Sequence, residues 1–155
     1  MLYNPYTMSN DYWQKQTKQA PLFEALLWSR PENRLHAGKL LIIGGSGYEF
    51  KAPANAYGDA LHAGIGVAKV ILPDSMKKVV ADLFPEADYA PTTPSGSFSR
   101  LALAQILDAA EWADGVLLAG NFGRNSETTI VLEDFLQKHK GNVTITHDAV
   151  DSFVN

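Results

Sequence analysis

Four short apolar runs, each separated from the next by a segment with helical spacing, limit what this chain can fold into. The runs are Leu40–Ile43, Val67–Leu72, Gly115–Ala119 and Asn142–Thr146. Between them lie Pro53–Ala63, which stops at Gly64, and Met76–Leu83, opened by Pro73-Asp74-Ser75. Next comes "SRLALAQILDAAEWA", whose apolar residues Leu101, Ala104, Ile106 with Leu107, and Ala110 recur at helical intervals. Ser126–His139 places Ile130, Val131, Phe135 and Leu136 on one face, and Lys138, Lys140 and Gly141 end it. "FPEADYAPTTPSGSFS" is rich in Pro, Ser and Thr and reads as loop, with a brief strand near Ala87–Ala90. Strand-length runs alternating with helices predict an α/β fold: a mainly parallel sheet covered on both faces. In such sheets ligands bind beyond the carboxyl ends of the strands.

Residues 1–37 are polar, dotted with aromatics and broken by Pro5, Pro21 and Pro31, so they read as a lead-in to a domain over 38–155. Within the lead-in, "APLFEALLW" is expected to pack Leu22, Phe23, Leu26 and Leu27 against the body as a short helix. The 155 residues make one domain's worth of chain, and 46% hydrophobic with 19% charged residues suits a soluble globular class. A net charge of −4 and scattered Lys and Arg exclude a general affinity for nucleic acid or anionic membrane. There is no cysteine, which excludes disulfides and thiolate metal sites and suits a cytoplasmic setting. No signal-peptide pattern and no membrane-length apolar run is present.

Three loops should meet at the carboxyl edge of the sheet: "GGSGYEFKA" after the first strand, "GNFGRNSE" after Ala119, and "HDAVD" after Thr146. The first is neither a G-x-G-x-x-G fingerprint nor a P-loop. Its glycines at 44, 45 and 47 allow close backbone approach and would present amide donors, with Ser46 adding a hydroxyl. A tight turn with no ligand fits the same residues. In the second loop Asn125 or Ser126 would cap the following helix, whose first amides favour an anion beside Arg124. A plainly capped helix with a solvated arginine is the alternative there. His147-Asp148 lacks ligand spacing, and His36, His62 and His139 have no carboxylate or serine at a catalytic spacing. No G-x-S-x-G or H-E-x-x-H motif occurs.

Taken in order, these segments resemble the ADP/ATP-dependent NAD(P)H-hydrate dehydratase family. The residues that carry the resemblance are Gly44-Gly45-Ser46, Tyr48, Lys51-Ala52-Pro53, Ala63-Gly64-Ile65-Gly66, Pro85-Glu86, Ala119–Arg124 with Glu127-Thr128, and Thr146–Asp151. There are departures. Ala119-Gly120-Asn121-Phe122-Gly123 stands for Gly-Pro-Gly-Leu-Gly, Thr146-His147-Asp148 for Asp-Ala-Asp, and Lys51 for a glycine.

The resemblance implies a ribokinase-like three-layer sandwich, of which these residues form the first half. It places Gly44, Gly45, Ser46, Ala52, Asn121, Gly123 and Asp148 on the side facing an NAD(P)H-type dinucleotide, with no catalytic base and no metal ligand among them. The family's cofactor is ADP or ATP with Mg2+, held by a later Gly-Thr-Gly-Asp segment that these residues do not include. Without that segment the chain alone is expected to be inactive. A non-catalytic nucleotide-binding or protein-interaction subunit is the alternative function, and a small-molecule kinase a more distant one. With Asn142–Thr146 as an open sheet edge, self-association or pairing with a complementary half-domain is expected.

Overall fold

The structure is a computed structural model that describes residues 17, 31–33, 36–82, 84, 87–146 and 148–154. The chain divides into two compact units, Met1–Glu32 and Asn33–Asn155. The helix expected at Leu22–Leu27, Pro85-Glu86 and His147 lie outside the described residues.

The second unit runs β1 (Lys39–Gly44), α1 (Lys51–His62), β2 (Val67–Pro73), a 3-10 turn (Asp74–Met76) leading into α2 (Lys77–Val80), and β3 (Ala87–Ala90). It continues with α3 (Ala102–Trp112), β4 (Gly115–Gly120), α4 (Ser126–Lys138), β5 (Val143–Ile145) and α5 (Asp148–Val154). The strands form one five-stranded sheet in the order β3-β2-β1-β4-β5. Every pairing is parallel, as the alternating pattern predicts.

Because successive side chains on a strand point to opposite faces, the central strands build two cores. Leu41, Ile43, Ile71, Val116 and Leu118 pack with Ile106 of α3, Phe135 of α4 and Ala149 of α5 on one face. Ile42, Val70, Leu72 and Ala119 pack on the other with Met76, Val80 and the partly buried Ala56, Tyr57 and Ala60. Leu41, Ile42 and Ile43 are fully buried, which is why β1 reads as a continuous apolar run.

Several boundaries differ from the sequence reading. Helix α1 starts at Lys51, two residues early, because Pro53 sits within the first turn, where a missing amide breaks no helical bond. Helix α2 is a single turn preceded by the 3-10 turn, and Leu83 lies outside the described residues. On α3 the buried stripe is Ala102, Ile106 and Ala110, whereas Leu101 is 78% exposed and Ala104 is exposed. Leu101 precedes the helix on its outer side, and Phe98 of the preceding loop fills the core position instead. β5 is three residues long, yet the Asn142 carbonyl accepts from the Val116 amide at 2.9 Å and the Thr146 amide donates to Leu118 at 3.0 Å. Its ladder therefore extends over the expected Asn142–Thr146.

Candidate functional site

The carboxyl ends of β1 and β4 lie so close that one cannot carry a side chain. A Cβ on Gly44 would fall 2.7 Å from the Gly120 carbonyl oxygen and 3.3 Å from Pro53. The Gly45 amide donates to that same carbonyl at 3.0 Å, with Gly45 at φ 89° and Gly120 at φ 94°. These left-handed angles favour glycine and turn both loops toward each other.

Asn121 then joins three loops. Its Oδ1 accepts from the Ala52 amide at 2.5 Å, capping the start of α1, and its own amide donates to Asp148 Oδ1 at 2.6 Å. Asn121 sits at φ 61°, left-handed for a residue with a side chain, and asparagine tolerates this better than most. Ala52, Asn121 and Asp148, all expected at the site, are thus brought together by direct hydrogen bonds.

The amides of the first loop are turned inward. Gly45 donates to Gly120, Ser46 donates to the Glu49 carbonyl at 2.8 Å, and Ala52 donates to Asn121. The expectation that the glycines of this loop present amide donors is corrected at Gly45, whose amide holds the loop to Gly120. Tyr48 is 89% exposed, and Lys51 is exposed at the first position of α1.

The second loop opens outward. Gly123, at φ 71°, leads to Asn125, whose side-chain Oδ1 accepts from the amides of Glu127 at 2.9 Å and Thr128 at 3.2 Å. This is the cap expected for α4. The Glu127-Thr128 pair has structural partners: Glu127 Oε1 accepts from the Arg100 amide at 2.9 Å, and Thr128 Oγ1 donates to the Phe98 carbonyl at 2.9 Å. An open cleft of about 830 Å³ runs along this loop, lined by Gly123, Arg124, Asn125, Ser126, Asp148 and Asp151 among others.

Sequence reasoning missed the β3–α3 loop, residues 91–101. Gly96, at φ 82°, lies against Gly47 so tightly that a Cβ would fall 2.9 Å from the Gly47 Cα. The Ser75 hydroxyl donates to the Gly96 carbonyl at 2.9 Å, Thr92 Oγ1 donates to Asp74 at 2.5 Å, and Asn125 Nδ2 donates to Ser95 Oγ at 2.9 Å. The loop therefore packs against both glycine-bearing loops. The Pro-Ser-Gly-Ser turn at 94–97 was the available signal, since a glycine between small polar residues marks a sharp, close-packed turn.

Among the described residues no three His, Asp or Glu side chains converge on a point that could hold a metal ion. The described residues of the cleft therefore do not fit the magnesium of a magnesium–nucleotide complex. No described helix is long and apolar enough to cross a membrane.

A parallel five-stranded sheet between two helical layers, with its loops gathered at the carboxyl edge, is the ribokinase-like architecture. A solved ribokinase-like superfamily protein from Enterococcus faecalis superposes with a TM-score of 0.62, covering 80% of this chain and 42% of that one at 19% identity. In sequence the chain is similar to bifunctional NAD(P)H-hydrate repair enzymes. The protein of that name from Dictyoglomus turgidum is 32% identical over 120 residues, which is 76% of this chain and 23% of the relative. The one from Methanothermobacter thermautotrophicus is 36% identical over 91 residues, 59% of this chain and 17% of the relative. The resemblance read from the motifs is borne out, and the chain spans about a quarter or less of the length of these relatives. No family model matches.

Proposed function

We propose that this chain supplies the dinucleotide-facing part of NAD(P)H-hydrate repair, binding an NAD(P)H-type dinucleotide across the loops at the carboxyl edge. The observation that carries the reading is the Ala52–Asn121–Asp148 link, which joins the three expected loops beside an open cleft lined by residues of the second and third. The similarity to enzymes named for NAD(P)H-hydrate repair supports the choice of ligand. Within the cleft, Gly123 lets a ligand approach the backbone, the start of α4 favours its anionic part, and Asp148 and Asp151 suit its ribose hydroxyls.

Bound ligand is not turned over by these residues alone. Dehydration of a hydrated nicotinamide needs a base for the hydroxyl proton, and Asp148 already spends one oxygen on the Asn121 amide. Calorimetric titration of the 155-residue chain with NADPH should show weak binding. An ATP-dependent assay for recovery of NADPH from its hydrate should show no turnover. Turnover by the chain alone would overturn the non-catalytic part of the reading.

A second reading, an interaction subunit that binds no dinucleotide, is favoured by one finding: the Gly45, Ser46 and Ala52 amides are all committed internally. No heat of binding with any dinucleotide would select it.

A further inference from the structure

We propose that Ser97 of the β3–α3 loop and Ser46 of the β1–α1 loop together hold a phosphoryl oxygen over Gly123, which gives the β3–α3 loop a binding role of its own. The inference rests on the dinucleotide reading and names the part of the ligand, its phosphate, that this corner takes.

The hydroxyls around this corner divide into two kinds. Ser75 donates to the Gly96 carbonyl, Thr92 to Asp74, and Ser99 to the Pro91 carbonyl at 3.1 Å. Thr93 bonds Ser95 and the Ser97 carbonyl, and Ser95 also accepts from Asn125. Each of these is satisfied within the protein. Ser46 and Ser97 are 5% and 6% exposed, so each side chain is more than nine-tenths buried. Their backbones are engaged, with the Ser46 amide on Glu49 and the Ser97 amide on Thr93 Oγ1 at 3.3 Å. Their hydroxyls make no hydrogen bond among the described residues. Among the described residues the Tyr89 hydroxyl is the buried one without a partner, so the Ser46 and Ser97 oxygens, on residues that are otherwise buried, keep contact with solvent and are open to a ligand.

Both unpaired hydroxyls face the same point. A Cβ placed on Gly123 would lie 3.8 Å from Ser46 Oγ and 3.9 Å from Ser97 Oγ, and Gly123 itself lines the open cleft. The 13-residue helix α4 begins three residues later, with its positive end at the cleft, and Arg124 adds a guanidinium to the lining. Donors gather around Gly123, in a cleft whose lining also includes the carboxylates of Glu133, Asp148 and Asp151. A phosphoryl oxygen accepts from several donors at once and carries the charge that a helix start and an arginine favour. A ribose diol, which brings donors of its own, is better served by the carboxylates of Asp148 and Asp151.

The test is calorimetric titration of the 155-residue chain with NADPH, with inorganic pyrophosphate and with nicotinamide riboside, which has no phosphate. The expected order is NADPH, then pyrophosphate, with the riboside below detection. Ser46→Ala and Ser97→Ala should each weaken NADPH and pyrophosphate roughly tenfold, the loss of one hydrogen bond to a charged group. Ser97→Thr, which keeps the hydroxyl, should restore most of the affinity. Melting midpoints of the alanine variants should match or exceed the parent, since neither hydroxyl has a partner in the protein. Equal NADPH binding by the parent and both alanine variants would overturn the hydroxyl pair and leave the dinucleotide reading standing. Pyrophosphate binding that is lost in Ser97→Ala, with no NADPH binding, would keep the phosphoryl site and sink the dinucleotide reading. If no phosphoryl compound binds the parent, the proposal fails.

Discussion

The two glycine-bearing loops at the carboxyl edge have the same form in sequence and opposite uses in the structure. In "GGSGYEFKA" the glycines serve packing: Gly44 lets the Gly120 carbonyl approach, and Gly45 donates its amide to that carbonyl. In "GNFGRNSE" the capping is done by Asn121 and Asn125, and Gly123 is left lining the cleft. A glycine cluster after a strand thus signals close approach, but whether a ligand or another loop does the approaching depends on where the neighbouring strand ends. Here β4 ends against β1, and the space beside the glycines of the first loop is filled by protein.

The sharpest way to break that contrast is to put a side chain at each glycine. Gly44→Val should destabilise the chain by about 3 kcal/mol, the upper range for overpacking, because the Gly120 backbone and the Pro53 ring cannot both move away. Gly123→Ala meets nothing closer than 3.6 Å and should cost only the left-handed strain, roughly 1–2 kcal/mol, while weakening dinucleotide binding. Urea unfolding followed by circular dichroism checks both. Equal losses at the two positions would remove the distinction between a packing loop and a binding loop.

Asn121 sits where the two loops meet, and two substitutions separate its roles. Asn121→Ala loses the cap on the Ala52 amide and keeps an unfavourable φ of 61°, for an expected loss of about 2 kcal/mol. Asn121→Gly also loses the cap but relieves the backbone, and should cost roughly 1 kcal/mol less. The reverse order in chemical denaturation would mean that the left-handed backbone, rather than the lost cap, contributes little. Asn125→Ala removes a cap without any left-handed backbone and should cost about 1 kcal/mol by the same measurement.

The sheet was largely legible because its strands are buried on both faces, so their apolar runs do not depend on register. Helix α3 was less so: Leu101 and Ala104 fit a helical period, but only the tertiary position of Phe98 decides that the stripe begins at Ala102. At the site, the sequence named Ala52, Asn121 and Asp148 from motif positions, and the hydrogen bonds that join them span 69 and 27 residues. No local pattern encodes such links. The β3–α3 loop stayed hidden for a related reason. Its value lies in the contact of Gly96 with Gly47, 49 positions apart in the numbering, and in two serines whose hydroxyls stay unpaired. Composition marked it as loop and could go no further.

A third unpaired hydroxyl tests whether lack of a partner by itself marks a binding group. Tyr89 on β3 buries its hydroxyl without a hydrogen bond, and burial pushes its pKa up from the usual value near 10. It lines a separate hollow of about 450 Å³ with Lys77, Phe84 and Gln105, and the Lys77 ammonium stands 5.7 Å from its ring centre. Unlike Ser46 and Ser97, it borders no glycine wall, and the helix that starts beside it, α2, is a single turn. Tyr89→Phe should leave NADPH binding unchanged and shift stability by no more than about 1 kcal/mol, in the stabilising direction, because an unpaired polar atom is removed. The pH dependence should follow its sign. Below pH 10 the tyrosine is protonated in both folded and unfolded chains and contributes no slope. Above 10 the unfolded chain releases the proton first, so the parent loses stability relative to Tyr89→Phe as pH rises toward the raised folded value. Urea midpoints of the two proteins at pH 8 and above pH 10 measure that divergence directly. Midpoints that stay parallel would place the Tyr89 hydroxyl in contact with water, and the contrast with the serine pair would then rest on position alone.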